Sequence, residues 1–323
     1  TGTCWSGNQP TLTNFNSSST QDTSNTGLYY LETYQTSSDD PTSAVQFDIA
    51  YGDRLGSGSA LYNSAVSQSG PSKVIYGQYR TLVLGDENSD FIFGGYSSSY
   101  FYTLSIERSR YKETMFPGSL NLKLSGSLGN TIYLTDNSGD TAVTQFNDAG
   151  RVYQVVSGSN GSAYSGSGYT ANSGSYGLFL PDIGTIILNG EALDGIFADG
   201  GISLGTARTT NTNEYNQRKL YSAISGGNNN HGSFGLNSQE TLTSDYVFVR
   251  ARNSEFNYSE NPSYISGSSG DIIYPLFINS PQTYITTVGL YNDMNECVAV
   301  AKLSRPLLKD FTKELLVRVK LDF

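Results

Sequence analysis

A single histidine, His231, stands in the segment GGNNNHGSFG, and any Ser-His-Asp or Cys-His machinery would have to be built on it. Such catalysis needs an imidazole held by a second group within hydrogen-bond reach. Runs of Gly and Asn on both sides do not supply that rigidity, so His231 reads as a polar loop residue. Carboxylate pairs are the second route, since glycosidases work with Asp and Glu alone. Asp39-Asp40, Asp86-Glu87 with Asp90, and Glu107 beside Arg108 and Arg110 are the candidates. Most lie in Gly-, Ser- and Asn-rich stretches, where Asp is common because its side chain bonds the backbone of its own turn. TDNSGDT, from Thr135 to Thr141, sets Asp136 and Asp140 around a glycine as a calcium loop does, but it has Ser at 138 and no distal bidentate Glu. Cys4 and Cys297 are too few for a disulfide framework or a zinc site. Cys297, next to Val298-Ala299-Val300, reads as a small buried hydrophobe. No phosphate-cradling GxxxxGKS/T, no GxSxG and no HExxH is present. These residues point to no catalytic group, no cofactor and no metal, and argue against an enzyme.

The elements that would position any site are strands. With 35 Gly, 24 Tyr and only 15% charged residues, the composition favours pleated sheet joined by tight turns. Tyr102, Leu104 and Ile106 alternate with polar residues, as do Leu120, Leu122 and Leu124, and period two means half-buried strands. SKVIYGQYRTLVLGDENSDFIFGG reads as further strands split by the polar DENSD. NTNEYNQRKLYSAISGG is the one convincing helix, with Tyr215, Leu220 and Ile224 able to share a face and Gly226-Gly227 as its stop. TYITTVGLYNDMNECVAVAKL is a hairpin turned at Asn292 to Asn295, and in LLVRVKLDF the residues Leu315, Val317, Val319 and Leu321 share one face.

The expected fold is therefore mainly β, with β-sandwich or barrel-like domains, one short helix and an extended N-terminal arm. Residues 1–43, rich in Ser, Thr, Asn and Gln, form the polar arm, which cannot bury enough apolar surface to offset its own chain entropy. Residues 44–156 form a β domain, 157–178 a Gly/Ser/Tyr-rich loop or linker, and 179–323 a second β domain ending in a terminal strand. The aromatics of the arm and loop, Trp5, Phe15, Tyr29, Tyr30, Tyr164, Tyr169 and Tyr176, are the expected partner contacts, because such rings carry large contact area at low entropy cost.

The net charge of −10 leaves no basic surplus for phosphates, so nucleic acid is not an expected partner. No apolar run approaches the ~20 residues that cross a bilayer, and a membrane is not expected either.

The segment YITTVGLYNDMNECVAVAKLSRPLLKDFTKELLVRVKLDF resembles the ending of virion structural proteins of contractile-tailed, T-even-like phages, especially those of marine cyanobacteria. TTVGLYND followed by AVAKLSRP is its most specific part. YGQYRTLVLGDENSDFIFGG, SIERSRYKETMFPGSLNLKLSG and DAGRVYQVVSGSNG resemble the same family, so the resemblance runs from about residue 45 onward. It implies a building block of the tail, baseplate or fibre attachment, made in the bacterial host cytoplasm and held in a symmetric assembly with copies of itself and other virion proteins. A capsid or neck protein is the nearest alternative. A receptor- or carbohydrate-binding fibre module, using the tyrosine excess, and a polysaccharide depolymerase are the readings from other classes.

Overall fold

The computed structural model describes residues 1–17, 30–59, 70–140, 145–164, 175–210, 214–226, 232–259, 261–267 and 269–322. They fall into two units, Thr1–Glu240 and Thr241–Phe323. The chain is mainly β, as its composition requires.

In the first unit the main sheet runs, neighbour by neighbour, Thr11–Leu12, Ser233–Gly235, Asn121–Ser125, Thr131–Asp136, Gly150–Ser159, Gly177–Leu180, Thr185–Asn189, Tyr100–Ile106, Val45–Asp53, Tyr30–Tyr34 and Asn16–Ser17. All these pairings are antiparallel. The first and last strands of that order are separated in sequence by residues 13–15 only. From Leu12 to Asn16 the chain reaches at most about 14 Å. The two ends of the sheet are thus tied together by the backbone, and the sheet is curled into a barrel-like body.

Its inner face is the principal core. On the central strands Ile49 pairs with Leu104 and Leu104 with Ile186, while Tyr51, Tyr102 and Leu188 form the next layer. All six are buried in one cluster with Leu122, Leu134 and Phe234. Each such side chain removed from water stabilises the fold by about 1.5–3 kcal/mol. Helix Tyr215–Ser225 adds Leu220, Ala223 and Ile224 to the same cluster and ends on Gly226, whose φ is +75°. The expected helix and its glycine stop are present, although Tyr215, expected to share a face with Leu220 and Ile224, is exposed.

The opposite face of the central strands is covered by a second helix, Pro71–Leu84, which packs Ile75, Tyr76 and Val83 on Ala50, Phe101, Leu180 and Ile187. The segment reads as strand in sequence because it is rich in β-branched and aromatic residues. Pro71 in the first turn and Gly85 at the left-handed C-cap set its limits. Gly52 makes the close approach possible: a Cβ there would lie 2.8 Å from the Phe101 ring and 3.2 Å from the Tyr76 amide nitrogen. With the short helices Gly190–Asp194 and Pro275–Asn279, the chain has four α-helices among the described residues where one was expected.

Two boundaries also differ from expectation. Residues 1–17 are part of the body: Cys4, Trp5 and Leu12 are buried in the inner cluster, and Gly2–Thr3 pairs with Asn237–Gln239. A few apolar side chains suffice, since the strands supply hydrogen bonds for the polar remainder. Nor do residues 157–178 divide two domains. Tyr153 pairs with Phe179 and Val155 with Gly177, so the strands on either side are neighbours in one sheet. The division lies at Glu240 instead.

The second unit is built from two ribbons. Ser244–Ala251 pairs with Leu315–Asp322 in unbroken register, from Ser244 opposite Asp322 to Ala251 opposite Leu315. Thr283–Tyr291 and Cys297–Lys309 form the expected hairpin, whose turn is held by the Asn292 carboxamide accepting from the Met294 and Glu296 amides. Between Ile285 and Thr287 the partner jumps from Leu307 to Lys302, a bulge that accommodates Pro306.

Candidate functional site

The expected contact aromatics divide sharply. Trp5 is 3% exposed, its ring 4.9 Å from that of Phe234 and 6.2 Å from that of Phe47. Tyr176 is fully buried and donates to the Gly200 carbonyl at 2.8 Å. Neither has surface for a partner. Phe15 lies in the seam between the sheet's two ends, edge-on to Phe47 at 6.3 Å, and its carbonyl accepts from the Tyr221 hydroxyl. Only Tyr30 and Tyr164 are exposed. Tyr29, Tyr169 and His231 lie outside the described residues.

The carboxylates singled out in sequence hold turns. Asp40 accepts from the Thr42 amide and hydroxyl, and Asp86 from the Asn88 and Ser89 amides. Asp90 pairs with Arg54, while Arg108 lies over the Tyr111 ring and Arg110 bonds Ser6. Asp136 accepts from the amides of Gly118, Leu120 and Ser138, and so knits two strand ends. Among the described residues no group of three His, Cys, Asp or Glu could hold a metal.

Two polar clusters that sequence reasoning missed lie in the first unit. Strand register sets Glu32 directly opposite Asp48. Burial, with Glu32 and Glu107 adding repulsion, pushes the Asp48 carboxyl up to about 7, and its Oδ1 is buried without a partner. Tyr34 donates to Glu32 at 2.5 Å, and burial and that bond push the phenol up to about 12. A carboxyl titrating near neutrality has the acidity of a general acid or base. The cross-strand neighbours of Asp48 are Glu32 on one side and Ser105 on the other, the latter hydrogen-bonded to the Tyr79 hydroxyl at 2.9 Å.

The second cluster surrounds Asp53, which is fully buried and accepts from Arg208 Nε at 2.8 Å and from the Leu55 and Ser57 amides. Arg208 lies over the Tyr100 ring at 5.0 Å, Tyr100 donates to Asp194 at 2.7 Å, and Asp194 accepts from the Thr206 amide and hydroxyl. Burial raises the phenols of Tyr51, Tyr100 and Tyr102, so these tyrosines are donors and not bases at neutral pH. Every charged group here is engaged, and the cluster fastens the loops at one end of the barrel to it.

The second unit carries the unusual surface. Among its described residues the buried apolar side chains are Ala251, Phe277, Val288 and Val319. The fully buried Lys309 is satisfied by neutral oxygens: the carbonyls of Asn253 and Asp310, and Asn257 Oδ1 at 2.8 Å. Meanwhile Tyr246, Phe248 and Leu316 are exposed on one ribbon, and Tyr291, Val298 and Val300 on the other. Cys297, expected to be buried, is exposed beside them. A cavity of about 700 Å³ opens within this unit, lined by Val249, Ala251 and Val317 from one ribbon and residues 283–289 from the other. Each ribbon has only two strands, so both keep unpaired backbone edges. Alternation of Val247, Val249 and Ala251 with Tyr246, Phe248 and Arg250 announces a two-faced strand in sequence, but not that the face carrying Tyr246 and Phe248 stays uncovered.

No helix among the described residues is long and apolar enough to cross a membrane. No family model matches the chain, and neither a curated protein nor a solved structure matches it.

Proposed function

We propose that this chain is a non-enzymatic structural subunit in which the barrel is the rigid body and the 241–323 unit is the docking element that binds neighbouring protein subunits. The observation that carries the reading is the mismatch in the second unit between a minute core and two ribbons with exposed Tyr246, Phe248, Val298 and Val300. Exposed apolar surface of this kind marks protein interaction sites, and open strand edges add main-chain hydrogen bonding. Charge is in keeping with this: Thr241–Phe323 holds 8 Lys and Arg against 9 Asp and Glu, so most of the chain's negative charge lies elsewhere.

Placement in the tail or baseplate of a phage virion rests on the sequence resemblance of residues from about 45 onward. Two measurements test the proposal. Native mass spectrometry of the full chain should show an oligomer, with Phe248→Asp and Val300→Asp shifting it to monomer while the barrel's unfolding transition stays put. A monomer at all concentrations, with no binding of a hydrophobic dye, means the ribbons are covered within the chain and sinks the docking role. Proteomics of virions separated into heads and tails tests the location: enrichment in tails supports it, and absence from both fractions overturns it.

A further inference from the structure

One crevice of the barrel unit is built for a small ligand, independently of any assembly role. Helix Tyr215–Ser225 presents Tyr215, Arg218, Lys219 and Ser222 to a space of about 450 Å³, whose far wall is Ser125, Gly126 and Ser127 at the end of strand Asn121–Ser125, with Leu204 at its side. That volume is within the range of small-molecule sites. Three observations make it more than a surface crease.

The first is Ser125. It is 5% exposed, it lines the crevice, and its hydroxyl has no hydrogen-bond partner. The large majority of buried polar side-chain atoms are paired; of the buried hydroxyls without a partner among the described residues, those of Thr33, Ser43, Thr103 and Ser125, that of Ser125 belongs to a residue lining this crevice.

The second is the handling of charge. Glu214, buried and holding a left-handed φ of +57°, aims Oε2 at Arg218 Nε and Nη2, at 3.1 and 2.8 Å. A non-glycine residue in that region stores backbone strain, which persists where the surroundings enforce it. The ion pair fixes the guanidinium at the crevice while cancelling one of its two positive charges. The third is Lys219, whose ammonium lies 5.2 Å from the Tyr215 ring centroid and makes no ion pair among the described residues. One positive charge therefore stays uncompensated, in a protein whose net charge is −10.

We infer that this crevice binds a hydroxyl-rich monoanion of the sugar-acid class, such as a single uronic acid residue. One net positive charge matches one carboxylate and disfavours a dianion. Lys219 and Arg218 take the carboxylate, Ser125 bonds a ring hydroxyl, and Leu204 and Tyr215 cover the apolar edge of the ring. Charge-assisted bonds to the carboxylate are the strong ones and set the selectivity over neutral sugars.

Isothermal calorimetry of the full chain with glucuronate tests this, with glucose and inorganic phosphate as comparison ligands. Saturable binding of glucuronate is expected, at least tenfold tighter than that of either comparison ligand. Lys219→Gln should weaken it about tenfold. Ser125→Ala should weaken it severalfold while leaving the melting temperature of the ligand-free protein unchanged or raised, because it removes a buried hydroxyl that bonds nothing. Equal heats for glucuronate and glucose, tighter binding of phosphate, affinity untouched by Lys219→Gln, or no saturable binding at millimolar concentration would each overturn the assignment.

Discussion

The rings of Phe47 and Phe234 meet edge to face with centroids 5.3 Å apart, although six strands separate theirs in the hydrogen-bonding order of the sheet. Their contact is the interior counterpart of the seam at residues 13–15: the sheet closes because its two ends share a core as well as a stretch of backbone. Trp5 packs on both rings and completes that closure.

Trp5→Ala should therefore behave as a core mutation. Removing a buried aromatic of this size costs about 3–5 kcal/mol, and urea unfolding of the full chain measures it directly. An unchanged midpoint would mean that the first residues are an arm after all.

Asp48 gives the barrel a pH dependence of definite sign. Its folded carboxyl titrates at about 7, above the ordinary carboxylate range, because burial and the facing Glu32 and Glu107 disfavour its charge. The folded state thus binds the proton more tightly than the unfolded state. The resulting stability is fully present below the unfolded value near 4, declines as pH rises from there through about 7, and is lost above it. Three units correspond to about 4 kcal/mol at most. Asp48→Asn should flatten the profile and raise the melting temperature at pH 8 relative to the parent protein. Parallel profiles for the two proteins between pH 5 and 8 would count against it.

Arg208→Met leaves Asp53 charged and fully enclosed with only amide and hydroxyl donors. Breaking a buried pair in this one-sided way costs about 3 kcal/mol. The double variant with Asp53→Asn should recover part of the loss, and a thermodynamic cycle of chemical denaturations reads that coupling. Strict additivity would show that the two residues do not act together.

Gly52→Ala should loosen the outer helix without unfolding the barrel. The added methyl meets the Phe101 ring and the Tyr76 backbone at distances that force movement, at a cost of about 1–3 kcal/mol. Hydrogen exchange should accelerate within residues 71–84 and stay slow in Tyr100–Ile106; unaltered protection in both would refute the close approach.

Much of the architecture was legible in the chain. Period-two patterns announced the Tyr100–Ile106, Asn121–Ser125, Ser244–Ala251 and Leu315–Asp322 strands, and Gly226 announced the end of its helix. Helix Pro71–Leu84 was hidden because Val74, Ile75, Tyr76 and Val83 carry strand propensity, which packing on Phe101 overrides. Pro71 and Gly85, placed 14 residues apart, were the available signal. Polar composition concealed the inclusion of residues 1–17, since a single tryptophan there outweighs the surrounding Thr and Asn. The Glu32–Asp48 pair and the crevice at Ser125 depend on register and on loops meeting in space, which no local pattern encodes.

The seam also dictates an order of events in synthesis. Thr11–Leu12 hydrogen-bonds to Ser233–Gly235 and Gly2–Thr3 to Asn237–Gln239, so the barrel cannot close until the segment up to Gln239 has left the ribosome. Until then the Gly2–Leu12 segment must wait for its partners, and contacts this distant in sequence are the slow ones to form. Because Trp5 is the only tryptophan in the sequence, its fluorescence will report that last event alone: a spectrum that stays red-shifted while strand signal develops marks a nascent barrel still open along one side.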